Sequence, residues 1–414
     1  MRIAILGAGV AGLTCAHILS REHEVTVFEA QPRVGGHTHT HDVEVEGQRH
    51  RVDTGFIVFN EPNYPTFLRL LNALGVRWRE TDMSFSVRCD RTGVEWRGSN
   101  LNTLFAQRLN LLRPSFLGML RDALRFNREA RALATTPPDD SLTVGRFIEQ
   151  GRYGRGFLDL YLGPLGSSLW SCPPDRFREF PIRFVIDFLH NHDMLRFQGQ
   201  PVWRTIVGGS DSYIEPLTRP YRERIRTGAA VTRVRRDESG VDVESTGGPG
   251  RYDELVLACH ADEAAAVLAD ADAGEREMLA AFPYQLNDVV LHTDPTLMPR
   301  RGLAWAAWNY HVRRGEDQPA TVTYSMNILQ GIQSRRPLLV TLNETGSIEP
   351  SRVLRRMRYH HPLYTRQRSS TQARHAQFIR RRRTSFCGAY WGFGFHEDGV
   401  ASAARVAQGF GLTL

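Results

Sequence analysis

The chain has 414 residues, 41% of them hydrophobic and 23% charged, enough to bury two cores rather than one. Its 52 basic residues outnumber 45 acidic ones to give a net charge of +7, and every basic residue is arginine, which excludes Schiff-base chemistry on a lysine. Five cysteines, at 15, 89, 172, 259 and 387, show neither a CxxC nor any paired spacing, so neither a dithiol centre nor a zinc site is expected, and no apolar run reaches the ~20 residues of a membrane-spanning helix.

Arg2-Ile3-Ala4-Ile5-Leu6 reads as a buried strand that runs into Gly7-Ala8-Gly9-Val10-Ala11-Gly12 and then into a helix from Leu13 onward. In a dinucleotide-binding unit Gly7 permits the tight turn, Gly9 lets the backbone approach a pyrophosphate, and Gly12 allows close helix packing. The helix N-terminus attracts the phosphate charge. A second strand, Val25-Thr26-Val27-Phe28, ends on Glu29, about 20 residues beyond the glycines, where a carboxylate accepts hydrogen bonds from an adenosine ribose. Because the N-terminus is itself a core strand, no targeting segment is read there and a cytoplasmic location is expected.

Gln31-Pro32-Arg33-Val34-Gly35-Gly36-His37 comes next, and the glycine doublet supplies more backbone able to pass close to a phosphate. His37-Thr38-His39-Thr40-His41 sets three imidazoles at alternate positions, a spacing that suits metal ligands on one side of a strand. Directly after the doublet, a cofactor contact by His37 is the favoured reading and no metal is assigned.

Residues 64–74 have helical apolar spacing, and residues 101–133 continue as leucine, phenylalanine and arginine at helical spacing, broken by Pro114. The latter stretch predicts a core-facing helix pair, with helices lying on a membrane surface as the alternative. Residues 135–140 read as a loop, with Asp140 or Ser141 capping the helix that follows. Val207-Gly208-Gly209-Ser210 lacks the third glycine of a second fingerprint, so no NAD(P)H unit is expected and a reduced cofactor would pass its electrons to oxygen, a quinone or a protein acceptor. Residues 288–292, 321–326 and 337–342 read as strands of an antiparallel sheet. Arg380-Arg381-Arg382-Arg383 and the group Arg352, Arg355, Arg356 and Arg358 could pair phosphates, but no nucleic-acid fold accompanies them. They are read as a solvated face, with contact to anionic lipid headgroups at the inner membrane as the alternative.

The paired glycine after the ribose acid resembles the signature of two-dinucleotide-binding-domain flavoproteins, which implies FAD. Three further blocks narrow the resemblance to the flavin-containing amine oxidoreductase superfamily, which includes the carotenoid desaturases. They are residues 207–234, the run Tyr252-Asp253-Glu254-Leu255-Val256-Leu257-Ala258-Cys259, and the closing stretch from Phe386 to Ala403. Within it, Asp53-Thr54-Gly55-Phe56-Ile57-Val58-Phe59-Asn60, Asp82-Met83-Ser84-Phe85-Ser86-Val87 and Gly388-Ala389-Tyr390-Trp391-Gly392-Phe393 resemble bacterial predicted NAD/FAD-binding oxidoreductases. Members of that group are often encoded beside cyclopropane-fatty-acid-synthase-like methyltransferases.

The resemblance implies an α/β fold: a discontinuous Rossmann-like FAD-binding domain (1–60, 205–270 and 380–414) and a mixed α+β substrate-binding domain (61–204 and 271–379). It implies cofactor contacts by Gly7, Gly9, Ala11 and Gly12, by Glu29 and Ala30 at the ribose, and by Gly35, Gly36, His37 and Thr38 after the doublet. Gly55 and Phe56, Val231 beside the adenine, and Gly388, His396, Asp398, Gly399 and Val400 in the closing block complete the set. His396 is expected to offer its backbone N–H to the flavin, Asp398 to cap the last helix, Glu397 to bond within the flavin site, and Asp53 to position the turn at Gly55.

No catalytic residue is assigned; the candidates are Phe395 as one wall of a substrate cage, Trp391 as a second wall, and His37. Tyr390, Trp308 and Tyr310 are other candidates for that wall, and His190, His192, His360 and His361 for proton carriers. The lysine that holds a water at flavin N5 in many amine oxidases is absent here. The expected function is therefore an FAD-dependent oxidoreductase that accepts hydride at flavin N5 from an apolar, modified fatty acyl substrate. An amine oxidase forming imine and peroxide, a redox-neutral flavin isomerase, and a flavin-binding partner of a lipid methyltransferase are the alternatives.

Overall fold

The computed structural model describes residues 1–137, 139–196, 199–315 and 319–414; Pro138, in the loop expected over 135–140, lies outside the described residues. Near-continuous apolar runs such as Ile3–Leu6 demand cover on both faces, and that is how they are placed. Five parallel strands form one sheet in the order Ile225–Arg226, Glu24–Phe28, Arg2–Leu6, Glu254–Leu257, Thr384–Phe386. Alternate side chains separate its faces. Ile3, Ile5, Val25, Val27 and Val256 pack with the helices Val10–Leu19 and His396–Gln408. Ala4, Leu6, Phe28, Leu255, Leu257 and Phe386 pack on the other side with Ala261–Val267, Ala273–Ala280 and a three-stranded antiparallel sheet, Val231–Arg236, Val241–Ser245 and Gly248–Tyr252. Residues 225–236 supply two strands: Ile225–Arg226 stays in the parallel sheet, and Val231 opens the antiparallel one.

The second body is built on a seven-stranded sheet in the order Val353–Pro362, Tyr284–His292, Leu339–Leu342, Val322–Ser325, Trp308–Val312, Phe85–Cys89, Val94–Arg97. All neighbours are antiparallel except Trp308–Val312 with Phe85–Cys89, so the sheet expected to be antiparallel is mixed. A helical layer lies over it. In Pro114–Ala134 proline occupies the first turn, where its missing N–H costs nothing, and Phe116, Met119, Ala123, Phe126 and Ala130 form the buried stripe. Val144–Gln150 is capped by Thr143, whose hydroxyl accepts from the Arg146 N–H at 3.3 Å, so neither Asp140 nor Ser141 serves as the cap. Gly163–Trp170 and Ile182–Asn191 complete the layer. Among the described residues no helix is long and apolar enough to cross a membrane.

The four consecutive arginines stay partly exposed but are engaged by carboxylates and carbonyls. Arg380 pairs with Glu254 at 3.1 Å, Arg381 with Asp272 at 2.7 Å and Arg382 with Asp270 at 3.4 Å, while Arg383 donates to the Asp253 and Glu238 carbonyls. These contacts staple the fifth parallel strand to its neighbours. Beside them Arg236, its side chain 2% exposed, lies 2.6 Å from the fully buried Glu275 and 3.1 Å from Asp270. Removing the cation leaves the buried Glu275 with only the longer contacts to Arg382 at 3.4 Å and Arg381 at 3.9 Å. Arg236→Met is expected to lower unfolding free energy by about 3 kcal/mol, read as a fall in the urea midpoint without a change in slope.

Candidate cofactor and substrate site

The glycine loop is fixed by contacts that leave no room for side chains on one side and open space on the other. Gly7 has φ +103°, and a Cβ there would stand 2.8 Å from the Ala258 carbonyl oxygen; a Cβ on Gly12 would stand 1.9 Å from the Gly7 oxygen. At Gly9 nothing lies within 4 Å of the missing Cβ. Gly35 closes the other side, its N–H donating to the Ala8 carbonyl at 2.7 Å, and Gly36 approaches the Gly9 Cα so closely that its own Cβ would be 3.0 Å away. The first-turn N–H groups of Val10, Ala11 and Gly12 have no partner within their helix, so they are free donors beside this open space. Glu29 ties the loop to the strand end: its carboxylate accepts from the Ala8 N–H at 2.9 Å and the Gln31 N–H at 2.8 Å. The Ala229 N–H donates to the Glu29 carbonyl at 2.9 Å, which brings the start of the antiparallel sheet, with Val231, beside Glu29 and Ala30.

A second helix N-terminus arrives next to the first. His396–Gln408 starts at Phe395, whose N–H donates to Asp398 at 2.8 Å. A Cβ on Gly399 would lie 2.9 Å from the Val10 side chain, so the missing Cβ lets the two helices pack closely, with Val400 fully buried between them. Gly388 is held by donation of its N–H to Ser402 at 2.9 Å. The His396 ring turns away into the core, 2.9 Å from the Thr38 hydroxyl and stacked 3.6 Å from Phe56, and Thr38 in turn lies 2.5 Å from the Tyr213 hydroxyl. What His396 leaves for a ligand is its backbone N–H. Gly55 crosses His37 so tightly that a Cβ would be 2.0 Å from the His37 carbonyl oxygen.

Two acids do other work than expected. Glu397 accepts from the Thr66 and Phe67 N–H groups at 3.0 and 2.8 Å, capping the helix Pro65–Ala73 instead of bonding in the cofactor site. Asp53 is a buried hub: it accepts from Thr40, from the Ser210 N–H and hydroxyl, and from Gln330, which joins the hairpin Thr40–Asp53 to both bodies. Burial raises the carboxyls of Asp53 and Asp398 to about 6 each.

The histidines expected along one strand face divide. His37 packs 5.1 Å from Tyr359, 5.4 Å from His361 and 6.1 Å from His260, and its buried Nε2 finds no hydrogen-bond partner. His39 and His41 lie tilted against each other with ring centroids 3.8 Å apart, and His39 Nδ1 lies 2.9 Å from the Tyr359 hydroxyl. Burial, and then the neighbouring cations and imidazoles, hold His37 well below 6.5, His39 at about 3 and His361 at about 4.

Phe395 stands at the junction of the cofactor core and the helical layer. Its ring stacks on Phe188 at 5.2 Å, and Phe184, Phe393 and His192 continue the group. Phe184, Phe188 and His192 recur every fourth residue, a helical stripe that would have revealed this wall from sequence. His190, by contrast, is exposed. Trp391 is not a second wall. Its indole stacks on His375 at 4.0 Å and meets Phe282 at 5.5 Å, in the core on the opposite face of the parallel sheet, where Tyr390 also lies. Trp308 and Tyr310 belong to the mixed-sheet core, with Trp308 edge-on to Tyr324 at 5.0 Å.

Residues 10–336 match the profile of flavin containing amine oxidoreductases. The chain belongs to that family. The flavin of these amine oxidoreductases is FAD, and the open cradle at Gly9, the free helix N-termini and the orphaned His37 Nε2 fit a bound dinucleotide. A curated relative, the putative flavin-containing monoamine oxidase AofH of Mycobacterium tuberculosis, is 26% identical over 267 residues, 62% of this chain and 56% of that protein. The chain thus spans about half the length of the curated relatives it matches. Among solved structures, cyclohexylamine oxidase from Brevibacterium oxydans aligns with TM-score 0.70 at 15% identity over 99% of both chains. A fatty acid isomerase from P. acnes aligns with TM-score 0.67 at 16% identity over 97% of this chain and 96% of that one. These alignments establish the fold.

Two outcomes are expected. Gly12→Ala abolishes folding of the loop, while Gly9→Ala leaves apoprotein stability within about 0.5 kcal/mol of wild type by thermal unfolding. The second concerns pH. His39, His41 and His361 stay neutral down to about 3, 4 and 4, whereas the unfolded chain takes up protons below 6.5, so stability is full above 6.5 and falls as the pH drops towards 4. Asp53 and Asp398, raised to about 6, act in the opposite sense between 4 and 6, favouring the folded state as the pH falls. Urea midpoints measured against pH should show the net loss on acidification, and His39→Gln/His41→Gln should flatten it.

Proposed function

We propose that this chain is an FAD-dependent oxidoreductase that oxidises or desaturates an apolar, modified fatty acyl substrate beside Phe395. The observation that carries the reading is the carbon-faced ring set of Phe184, Phe188, Phe393 and Phe395, which suits an alkyl chain. The chain also has no lysine to hold a water beside the flavin. Gly7, Gly9 and Gly12 would accommodate the pyrophosphate with Ala11, and Glu29 and Ala30 the ribose. Val231 would lie at the adenine, and Gly35, Gly36, Thr38, Gly55 and Phe56 would hold the remainder together with the closing helix. Bound there, FAD supplies hydride acceptance.

The aromatic wall orients the substrate and excludes water. His192 is the proton acceptor in this reading. The Phe188 carbonyl can only accept, so Nδ1, 2.9 Å away, carries the proton and Nε2 keeps its lone pair; burial holds the ring neutral down to about 4.

A second reading is amine oxidation, supported by the family and by the monoamine oxidase relative. It asks for two facing rings around an amine, and the core position of Trp391 leaves Phe395 without that partner. The fatty acid isomerase of the same fold gives the redox-neutral alternative its support.

The test is anaerobic mixing of the purified holoprotein with methyl-branched unsaturated phospholipids and, separately, with a panel of amines. Bleaching of the flavin band near ~450 nm by the lipids alone is expected. Bleaching by amines alone, with peroxide formed in air, overturns the acyl reading, as does lipid turnover that requires prior reduction and transfers no net electrons.

A further inference from the structure

The stretch 101–124 behaves unlike any other part of the surface. Leu101, Leu109, Leu111, Leu112, Leu117 and Leu124 are between 43% and 80% exposed and make up six of the eleven large hydrophobic side chains exposed among the described residues. They cluster in space as well as in sequence. The short helix Leu101–Leu104 packs against the turn Gly302–Ala304, which adds exposed Leu303, and the 3-10 turn Arg108–Leu112 leads directly into Pro114–Ala134. Along that long helix Leu117, Arg121, Leu124 and Arg128 follow one another at positions i, i+4, i+7 and i+11, a single outward stripe of alternating leucine and arginine.

The charge on this patch has one sign. Residues 101–121 contain three arginines and no aspartate or glutamate. Arg108, Arg113, Arg128, Arg300 and Arg301 have no carboxylate partner among the described residues. Glu95, the carboxylate beneath Arg300 and Arg301, is buried and already accepts both of their backbone N–H groups. Asp122 is buried as well, accepting the Gly154 N–H at 2.7 Å and pairing at 3.3 Å with Arg121, whose side chain stays 79% exposed. A packed protein partner would match such cations with acids and cover the leucines with shape; a lipid surface needs only an apolar rim that sinks to acyl depth below a ring of arginines at headgroup depth.

We propose that this leucine–arginine face docks the protein on an anionic phospholipid bilayer, with Leu109, Leu111, Leu112 and Leu117 inserted and Arg108, Arg113, Arg121 and Arg128 at the headgroups. The face is made of surface residues alone and takes no part in the reaction. Vesicle binding without acyl oxidation, or acyl oxidation without vesicle binding, separates the two.

Co-sedimentation of the full holoprotein with phosphatidylcholine vesicles, with and without phosphatidylglycerol, tests it. Binding is expected only when phosphatidylglycerol is present, and it should weaken as salt is raised above about 0.15 M. Leu109→Ser/Leu112→Ser should weaken binding at least about tenfold, since both side chains are exposed and their loss leaves the fold intact. Arg121→Glu/Arg128→Glu should weaken it by about fivefold or more per charge and flatten the salt dependence. Circular-dichroism melts of both variants should superimpose on wild type. The proposal is overturned if wild type ignores anionic vesicles, if it binds neutral ones equally well, or if Leu109→Ser/Leu112→Ser dissolves a dimer seen by sedimentation while vesicle binding persists.

Discussion

The arrangement depends on backbone touching backbone where no side chain fits. Gly12 against Gly7 sets the first helix on its strand, and Gly399 against Val10 sets the last helix on the first. Because both contacts fix helix N-termini, two sets of unpaired N–H groups and two positive dipole ends come to lie abreast. Neither helix could be withdrawn by the width of a methyl group without parting them. The remaining features of the site, from the Gly35–Gly36 crossing to the Asp53 hub, hold the hairpin and the second body against that pair.

Beside this positive floor stands one cation, Arg33, which donates to the Gly36 carbonyl at 2.8 Å. Burial keeps His37, His361 and His396 neutral, while Arg380, Arg381 and Arg382 are paired with carboxylates on the far side of the sheet. The local potential therefore comes from Arg33 together with fixed dipoles, and the dipoles need no counter-ion and do not reorganise when a ligand's charge changes. Hydrophobic walls then serve a substrate without competing ionic contacts.

What could be read in the sequence was what is local. The strand, glycine loop, helix and ribose acid are contiguous, and each glycine has a nearby reason to be one, so the motif is interpretable without a structure. The sheet strands around 288–292, 321–326 and 337–342 were legible for the same reason, their periodicity being carried by their own residues. The misreadings all concern direction. Trp391 and Phe395 are four residues apart but lie on opposite sides of the sheet, because the chain turns between them with Gly394 at φ +93°. Glu397 neighbours the cofactor block in sequence yet caps a helix more than 300 residues earlier. Asp53 gathers donors from Ser210 and Gln330, contacts no local pattern encodes. The arginine run looked like a free basic patch because its acids, at 254, 270, 272 and 275, are a hundred residues away.

The order of strands in the parallel sheet carries a consequence for how the chain acquires its shape. The first strand is flanked by residues 24–28 and 254–257, and the outermost strand is made only at 384–386, followed by the helix that seats on Val10. Closing loops of this size is entropically slow, and it leaves the opening strand and its helix without their cover through most of synthesis. The segment Arg2–Leu19 therefore keeps an apolar face uncovered until residues 254–257 and the helix His396–Gln408 have been made, the kind of exposure that draws chaperones to a nascent chain.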